Sequence, residues 1–316
     1  MSRSARRWKR CRKWPNLFPP VSPDLTPLEK QVLVERHLIS REQAQKTYGS
    51  AVVMNKRQTL SIMINEEDHL RMQAIRSGLQ LKTAYKMIDK VDTSLEDRLD
   101  FAFHSHLGYL TACPTNIGTG MRASAMLHLP ALVLSEQINQ IIQAVNKIGL
   151  AVRGLYGEGT EALGNLFQVS NQTTLGDREE EIIGSLSKTI EKIIEHEQNA
   201  RQVLLQKRIG TLCDNIGRAY GILGHAHSMN SKEALNLLSY MKLGVDLGFF
   251  PVECQSAIDE LFMETQPAHL QKNSQQKLAA EERDSLRAAI IRAKLKVFPA
   301  PDISSLEATE DKPIQE

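Results

Sequence analysis

Three short stretches of this 316-residue chain carry side chains whose types and spacing could do chemistry. NEEDHLR (65–71) follows an apolar run and sets Glu67 four residues before Arg71. On a helix beginning near Glu66, that spacing puts a base and a phosphate-binding cation on one face. A plain helix N-terminus, whose dipole favours acids, would account for the same carboxylates. In ACPTNIGTGMR (112–122), Pro114, Gly118 and Gly120 bend the chain so that backbone N–H groups can approach a ligand, and Arg122 enters the next strand. A cysteine held near cations is favoured as the thiolate, while a buried structural cysteine is the competing reading of Cys113. In RGLYGEGTEALGN (153–165), Arg153 and Glu158 stand five apart across glycine turns, with no Lys-Ser/Thr pair to make a Walker A loop. Together the three stretches supply what is needed to hold a polyphosphate opposite a planar cation. Arginines clamp phosphate oxygens bidentately and stabilise a transferring phosphoryl group, and carboxylates orient a guanidinium.

The elements that must position these residues read as an α+β body followed by helices. TPLEKQVLVERHLISREQAQK (26–46) has helical spacing, with Thr26 and Glu29 as a capping box. AVVMN (51–55) and TLSIMIN (59–65) form a hairpin across KRQ. Residues 66–98 are expected to be largely helical, 101–112 and 122–130 to be strands, 135–147 a helix, and 150–156 and 165–171 short strands. From Arg178 onward the pattern is helical. Asn230 with Glu233 marks a helix start, and Gly244, Gly248 and Pro251 mark a stop. The last twenty residues, 297–316, read as a loose tail.

Composition narrows the functional classes. With 39 basic and 37 acidic residues the net charge is +2, too balanced for a polyanion-binding surface over the whole molecule. The basic charge is local instead: MSRSARRWKRCRK packs seven Lys/Arg into thirteen residues, as a solvated tail, a phosphate contact or an RNA-binding arm. The four cysteines are far apart with no CxxC spacing, so neither a disulfide framework nor a zinc site is expected, and the chain reads as reduced and cytoplasmic. No apolar run approaches a membrane span, and the start lacks the apolar segment of a secretory signal.

NEEDHLR, CPTNIGTGMRAS and RGLYGEG, in that order and spacing, resemble the signature segments of the guanidino (phosphagen) kinases, most closely the bacterial protein-arginine kinases. The similarity runs from about Phe18 to Leu295. It implies an antiparallel sheet flanked by helices and transfer of the γ-phosphoryl group of Mg-ATP to a guanidinium nitrogen, with ATP and Mg2+ as cofactors and no metal ion held directly by the protein. By position, Glu67, Cys113 and Glu158 match the groups on the attacking guanidinium, and glutamate at 158 matches the arginine-specific members. Arg71, Arg122 and Arg153 match the arginines on the ATP phosphates. The neighbouring Ala123, Ser124, Ala125, Met126, Gly154, Leu155, Tyr156, Gly157 and Glu158 complete the expected nucleotide-binding segments.

The resemblance also orders the domains: a basic, proline-rich segment (1–25), a guanidino kinase catalytic domain (26–177), a helical C-terminal domain (178–296) and a tail (297–316). RDSLRA (283–288) resembles the RDxxRA motif with which protein-arginine kinases bind phosphoarginine, so Arg283, Asp284, Arg287 and Ala288 are expected to form a regulatory pocket on one helical face. An exposed i, i+4 face is the alternative from the hexapeptide alone. One departure stands out. Family members carry a pattern close to SSRxRLARN near the start, and MSRSARRWKRCRKWPNLFPP is basic but does not carry it in clean register, as a truncated or altered ATP-binding segment would look. The implied partners are arginine-bearing protein substrates, a Clp-type unfoldase and protease, a heat-shock repressor and an activator protein, with no membrane and a homodimer left open. A silent phosphoarginine-binding adaptor and a kinase for free arginine are the alternatives.

Overall fold

The computed structural model describes residues 25–154, 162–274 and 276–302. They form two compact units. Residues up to Ala125 together with Ser170–Thr189 make the first; Met126–Val169 and the chain from Ile190 onward make the second.

The first unit begins with α1 (Pro27–Glu35), opened by the expected capping box: the Glu29 N–H donates to Thr26 Oγ1 at 3.2 Å, and the Thr26 N–H donates to the Glu29 carboxylate at 2.8 Å. The helical pattern of 26–46 is broken in two. His37 has φ 56°, and the chain turns there to bury Leu38 and Ile39 before α2 (Arg41–Gln45) starts from Ser40. β1 (Ala51–Met54), β2 (Leu60–Ile64) and β3 (Leu70–Ala74) then make an antiparallel sheet in that order. The β1–β2 hairpin forms as expected, its turn closed by Asn55 Oδ1, which accepts from the Thr59 N–H at 2.9 Å.

β2 is central and buried along its whole length. Met63 packs with Leu33, Leu38, Val52 and Met54, whereas Leu60 and Ile62 meet Val91 and Leu95 of α3 (Leu81–Glu96).

The largest departure from expectation lies in 66–98. Residues 65–69 are a turn, 70–74 a strand, and helix is confined to α3. Asn65 adopts φ 56° and donates its N–H to the His69 carbonyl at 2.9 Å, which folds the chain straight back along β2, with Arg71 opposite Met63. Glu67 and Arg71 therefore share no helix face. The strand expected over 101–112 is only a small hairpin, β4 (Phe103–His104) with β5 (Gly108–Tyr109), on which the Tyr109 ring meets Phe101 and Phe103 edge-on.

β6 (Ser124–His128), α4 (Pro130–Leu134), α5 (Ile138–Lys147), β7 (Leu150–Gly154) and β8 (Leu166–Asn171) follow, with strand order β6–β8–β7. Helices α6 (Glu179–Lys207), α7 (Ile209–His225), α8 (Ser231–Asp246), α9 (Cys254–Glu264), α10 (Pro267–Asn273) and α11 (Ala280–Leu295) complete the described chain. The α+β class with a helical C-terminal part is thus the one expected. Asn230 caps α8 through the Glu233 N–H at 2.9 Å. Gly244 does not stop that helix but lies inside it, where a Cβ would come within 2.8 Å of the Phe250 ring; the turn out is made by Gly248 at φ 85°. The second unit is built on Leu212, Ile216, Leu238, Met241, Ile258, Leu261 and Ile291, all fully buried. Among the described residues no helix is long and apolar enough to cross a membrane.

His128 closes β6. Its Nε2 lies 2.7 Å from Ser239 Oγ, which accepts from Asn165 Nδ2 at 2.8 Å, and its buried Nδ1 has no hydrogen-bond partner among the described residues. Burial, with Arg201 and Lys242 adding to it, pushes the imidazole down from 6.5 to about 3. The unfolded chain then binds the extra proton first, so stability is lost as pH falls from about 6.5 toward about 3. Urea unfolding at pH 7 and pH 5 should show a smaller acid loss for His128→Gln than for the wild type.

Candidate functional site

The turn between β2 and β3 separates two adjacent glutamates by environment. Glu66 points inward, with a side chain only 3% exposed. Its carboxylate accepts from Ser40 Oγ at 2.5 Å, from the Glu67 N–H at 2.9 Å and from Arg71 Nη1 at 3.0 Å. Burial alone would raise its pKa, but the Ser40 hydroxyl, the Glu67 amide and the Arg71 charge outweigh it and hold the carboxyl below the usual carboxylate range. Lys46 Nζ ties down the same turn by donating to the carbonyls of Asn65, at 2.6 Å, and Glu66. Glu67 is exposed, and its carboxylate has no hydrogen bond or ion pair with another described residue. Arg71 reaches outward from β3 with half its side chain exposed.

Asp68, which the sequence reading left without a role, joins this turn to the cysteine loop: its Oδ1 accepts from the Ala112 N–H at 2.6 Å. Cys113 stands just before a single 3-10 turn, Pro114–Asn116, half-buried, with Sγ 3.0 Å from Thr115 Oγ1. The glycines act differently from expectation. Gly118, at φ 108°, uses its N–H on the Tyr109 carbonyl at 3.3 Å, so this amide is not offered to a ligand. A Cβ there would lie 2.2 Å from the Thr174 carbonyl oxygen, and one on Gly108 would lie 2.4 Å from the Gly118 oxygen. These glycines exist for close backbone packing. Thr174 fastens the loop further, its hydroxyl lying 2.7 Å from the Ile117 carbonyl while its own carbonyl accepts from the Thr119 N–H at 2.8 Å. Gly120, at φ 62°, is the one whose Cβ position is uncrowded.

Arg122 is presented by a clamp that sequence reasoning missed. The buried Asn171 side chain accepts from the Ala123 N–H at 2.8 Å and donates to the Met121 carbonyl at 3.0 Å, gripping the backbone on both sides of the arginine. The signal was an asparagine at a strand end, which is too common to single out. Arg122 is exposed and its guanidinium bonds to no other described residue. Glu67, Arg71, Cys113, Arg122, Ala123, Ser124 and Ala125 all belong to the first unit. Met126, Arg153 and Gly154 belong to the second, where Arg153 is exposed on β7. Leu155, Tyr156, Gly157, Glu158 and the N-terminal basic segment to residue 24 lie outside the described residues.

Arg71, Arg122 and Arg153 are each exposed, and a guanidinium offers paired donors of the kind phosphate oxygens accept. Among the described residues no group of three or more His, Cys, Asp or Glu could hold a metal ion.

In the second unit the RDSLRA stretch differs from an open charged face. Arg287 is 2% exposed; its Nε donates to the Thr265 carbonyl at 2.9 Å, and its Nη1 donates to the Met229 carbonyl at 2.7 Å and to Asp284. Ala288 is buried beside it, while Arg283 and Asp284 are half-buried. Arg287 lies in the interior, where two carbonyls from remote segments take its donors, while Arg283 and Asp284 of the same helix are partly open to solvent.

Residues 20–200 match the family model "ATP:guanido phosphotransferase, C-terminal catalytic domain", and residues 210–306 match "Protein-arginine kinase McsB C-terminal domain". A protein-arginine kinase of Halothermothrix orenii is 49% identical over 272 residues, covering 86% of this chain and 78% of that one. A protein-arginine kinase of Symbiobacterium thermophilum is 50% identical over 272 residues, covering 86% and 77%. Among solved structures, the duplicated taurocyamine kinase from Schistosoma mansoni aligns with a TM-score of 0.51 at 21% identity over 81% of this chain, a likeness of fold alone. This chain spans 40% of that structure's chain.

Two substitutions test the packing roles. Gly118→Ala should cost about 2 kcal/mol or more, since both its φ and the Thr174 carbonyl oppose a Cβ. Arg287→Ala should cost about 3 kcal/mol by stranding two carbonyls and Asp284. Urea denaturation measures both, and a change within about 0.5 kcal/mol for Arg287→Ala would return that arginine to the surface class.

Proposed function

We propose that this chain, which belongs to the ATP:guanido phosphotransferase family on its protein-arginine kinase branch, transfers the γ-phosphoryl group of ATP to arginine side chains of proteins. The observation that carries the reading is the half-identity to protein-arginine kinases over 86% of the chain, with a match to their C-terminal domain beyond the catalytic one.

The geometry supports named roles. Glu67, exposed on a turn held by Lys46 and Glu66, is free to orient the attacking guanidinium and accept its proton. Cys113, on a loop tied to that turn through Asp68, faces the same substrate group, and Glu158 is its second carboxylate. By resemblance Arg71, Arg122 and Arg153 take the phosphates, and Ala123, Ser124, Ala125, Met126, Gly154, Leu155, Tyr156, Gly157 and Glu158 belong to the nucleotide-binding segments. A guanidinium nitrogen forms a bond to the γ-phosphorus as the bond from that phosphorus to the β–γ bridging oxygen breaks. ADP leaves with the electron pair, and the nitrogen's proton passes to Glu67. Mg2+ bound to the phosphates would neutralise charge on them.

The resemblance extends the proposal to a cytoplasmic quality-control and stress-response role, in which the phosphoarginine mark directs proteins to a Clp-type unfoldase and protease and acts on a heat-shock repressor and an activator protein. In the same reading Arg283, Asp284, Arg287 and Ala288 make up the site that takes phosphoarginine for allosteric control.

Transfer of labelled γ-phosphate to an arginine-rich protein and, in parallel, to free arginine tests the function. Acid-labile label on protein alone is expected, with Glu67→Gln and Cys113→Ala each lowering the rate by about 10²-fold or more. Label on free arginine would move the enzyme to the small-molecule class, and label on neither would favour the phosphoarginine-binding adaptor.

A further inference from the structure

We propose that Ser40 and Glu66 form a positioning unit that sets the reach and orientation of Arg71 toward a phosphate, with the five-residue helix α2 as its mount. The inference rests on the reading of Arg71 as a phosphate-gripping residue and names what makes that grip rigid.

An arginine on an edge strand with half its side chain in water would sample many rotamers, and each must be given up when a phosphate binds. Arg71 is spared this because Nη1 is engaged by a carboxylate that cannot itself move. Glu66 is buried, and its second oxygen is occupied by the Glu67 amide. Its first oxygen is shared by Arg71 and Ser40. Ser40 is immobile in turn, since its hydroxyl oxygen accepts from the Gln43 N–H at 3.0 Å and so caps α2 while its hydrogen goes to Glu66. At the other end of the same helix, Lys46 holds the backbone carbonyls of Asn65 and Glu66. α2 therefore grips the turn twice, on the acid's side chain and on its backbone. The remaining guanidinium donors of Arg71 bond to no described residue, which leaves an outward edge for two phosphate oxygens.

The chemistry also explains why two glutamates stand in a row. The inner acid balances the charge of Arg71, so that the outer acid, Glu67, is not drawn into an ion pair with it. Glu66 touches neither phosphate nor guanidinium substrate in this scheme. It acts through Arg71 and is a positioning residue.

Steady-state kinetics of the full chain, with ATP varied at saturating arginine-rich protein and the reverse, tests this. Ser40→Ala and Glu66→Gln should each raise KM for ATP by roughly tenfold while KM for the protein substrate stays within about twofold. Ser40→Thr, which keeps the hydroxyl, should restore the wild-type value. Arg71→Ala is the reference and should raise KM for ATP at least as much. If Arg71→Ala does so but Ser40→Ala and Glu66→Gln do not, the positioning unit is refuted while the phosphate role of Arg71 stands. If both KM values rise together with a lowered melting temperature, Ser40 and Glu66 are merely structural and the inference is likewise overturned. If Arg71→Ala leaves KM for ATP unchanged, the phosphate role itself is wrong and the inference falls with it.

Discussion

A charge taken out of water has to be met by partners aimed at it, and this constraint organises both units of the protein. Glu66, Glu197 and Arg287 are the carboxylates and guanidinium buried in the described chain, at 6%, 4% and 2% exposure. Each is answered by groups that lie far away in sequence. Glu66 draws Ser40 and Arg71 onto one carboxylate. Glu197, on α6, accepts from the Ala131 and Leu132 amides at the start of α4, at 3.1 and 3.0 Å, and from Arg201, which continues to Asp246 of α8. Burial raises the Glu197 carboxyl, opposed by Arg201 and the two amides. Arg287 fastens α11 to the carbonyls of Thr265 and Met229. Removing either side of such a pair leaves the other uncompensated, so these contacts bind elements together more firmly than an exposed ion pair such as Arg218–Asp214 can.

In the first unit the same constraint sorts two adjacent acids. Two neighbouring glutamates have identical intrinsic acidity and opposite surroundings, one enclosed by donors and one open to solvent. The enclosed acid is paired with Arg71, and the open acid has no side-chain partner among the described residues. Asp68 then carries the turn's position to the loop of Cys113, and Asn171 performs the equivalent task for Arg122 by holding the backbone on either side of it. Glu67, Arg71 and Arg122 are exposed, while Glu66 and Asn171 beside them are buried. Preorganisation of this kind is what electrostatic stabilisation of a transferring phosphoryl group requires, because no reorganisation remains to be done at the moment of reaction.

What the amino-acid sequence determined by itself was decided within about four residues: the capping box at Thr26 and Glu29, the Asn230 cap and the β1–β2 hairpin turn, together with the three motif stretches that resemble the family. Tertiary structure decided the rest. Residues 66–74 carry a spacing that suits a helix, yet pairing with β2 makes them a turn and a strand, since β2 is central and offers its whole edge. Gly118 and Gly244 look like turn residues and are instead places where backbone or an aromatic ring comes too close for a Cβ. Arg287 looks like a surface cation and is interior. The physical reason is common to all of them. A cap or a turn is satisfied by atoms the local chain already holds, whereas the inner glutamate waits for Ser40, 26 residues away, and Arg287 for Met229, 58 residues away. Which residue is buried, and which is left facing solvent, is settled only when those distant partners arrive.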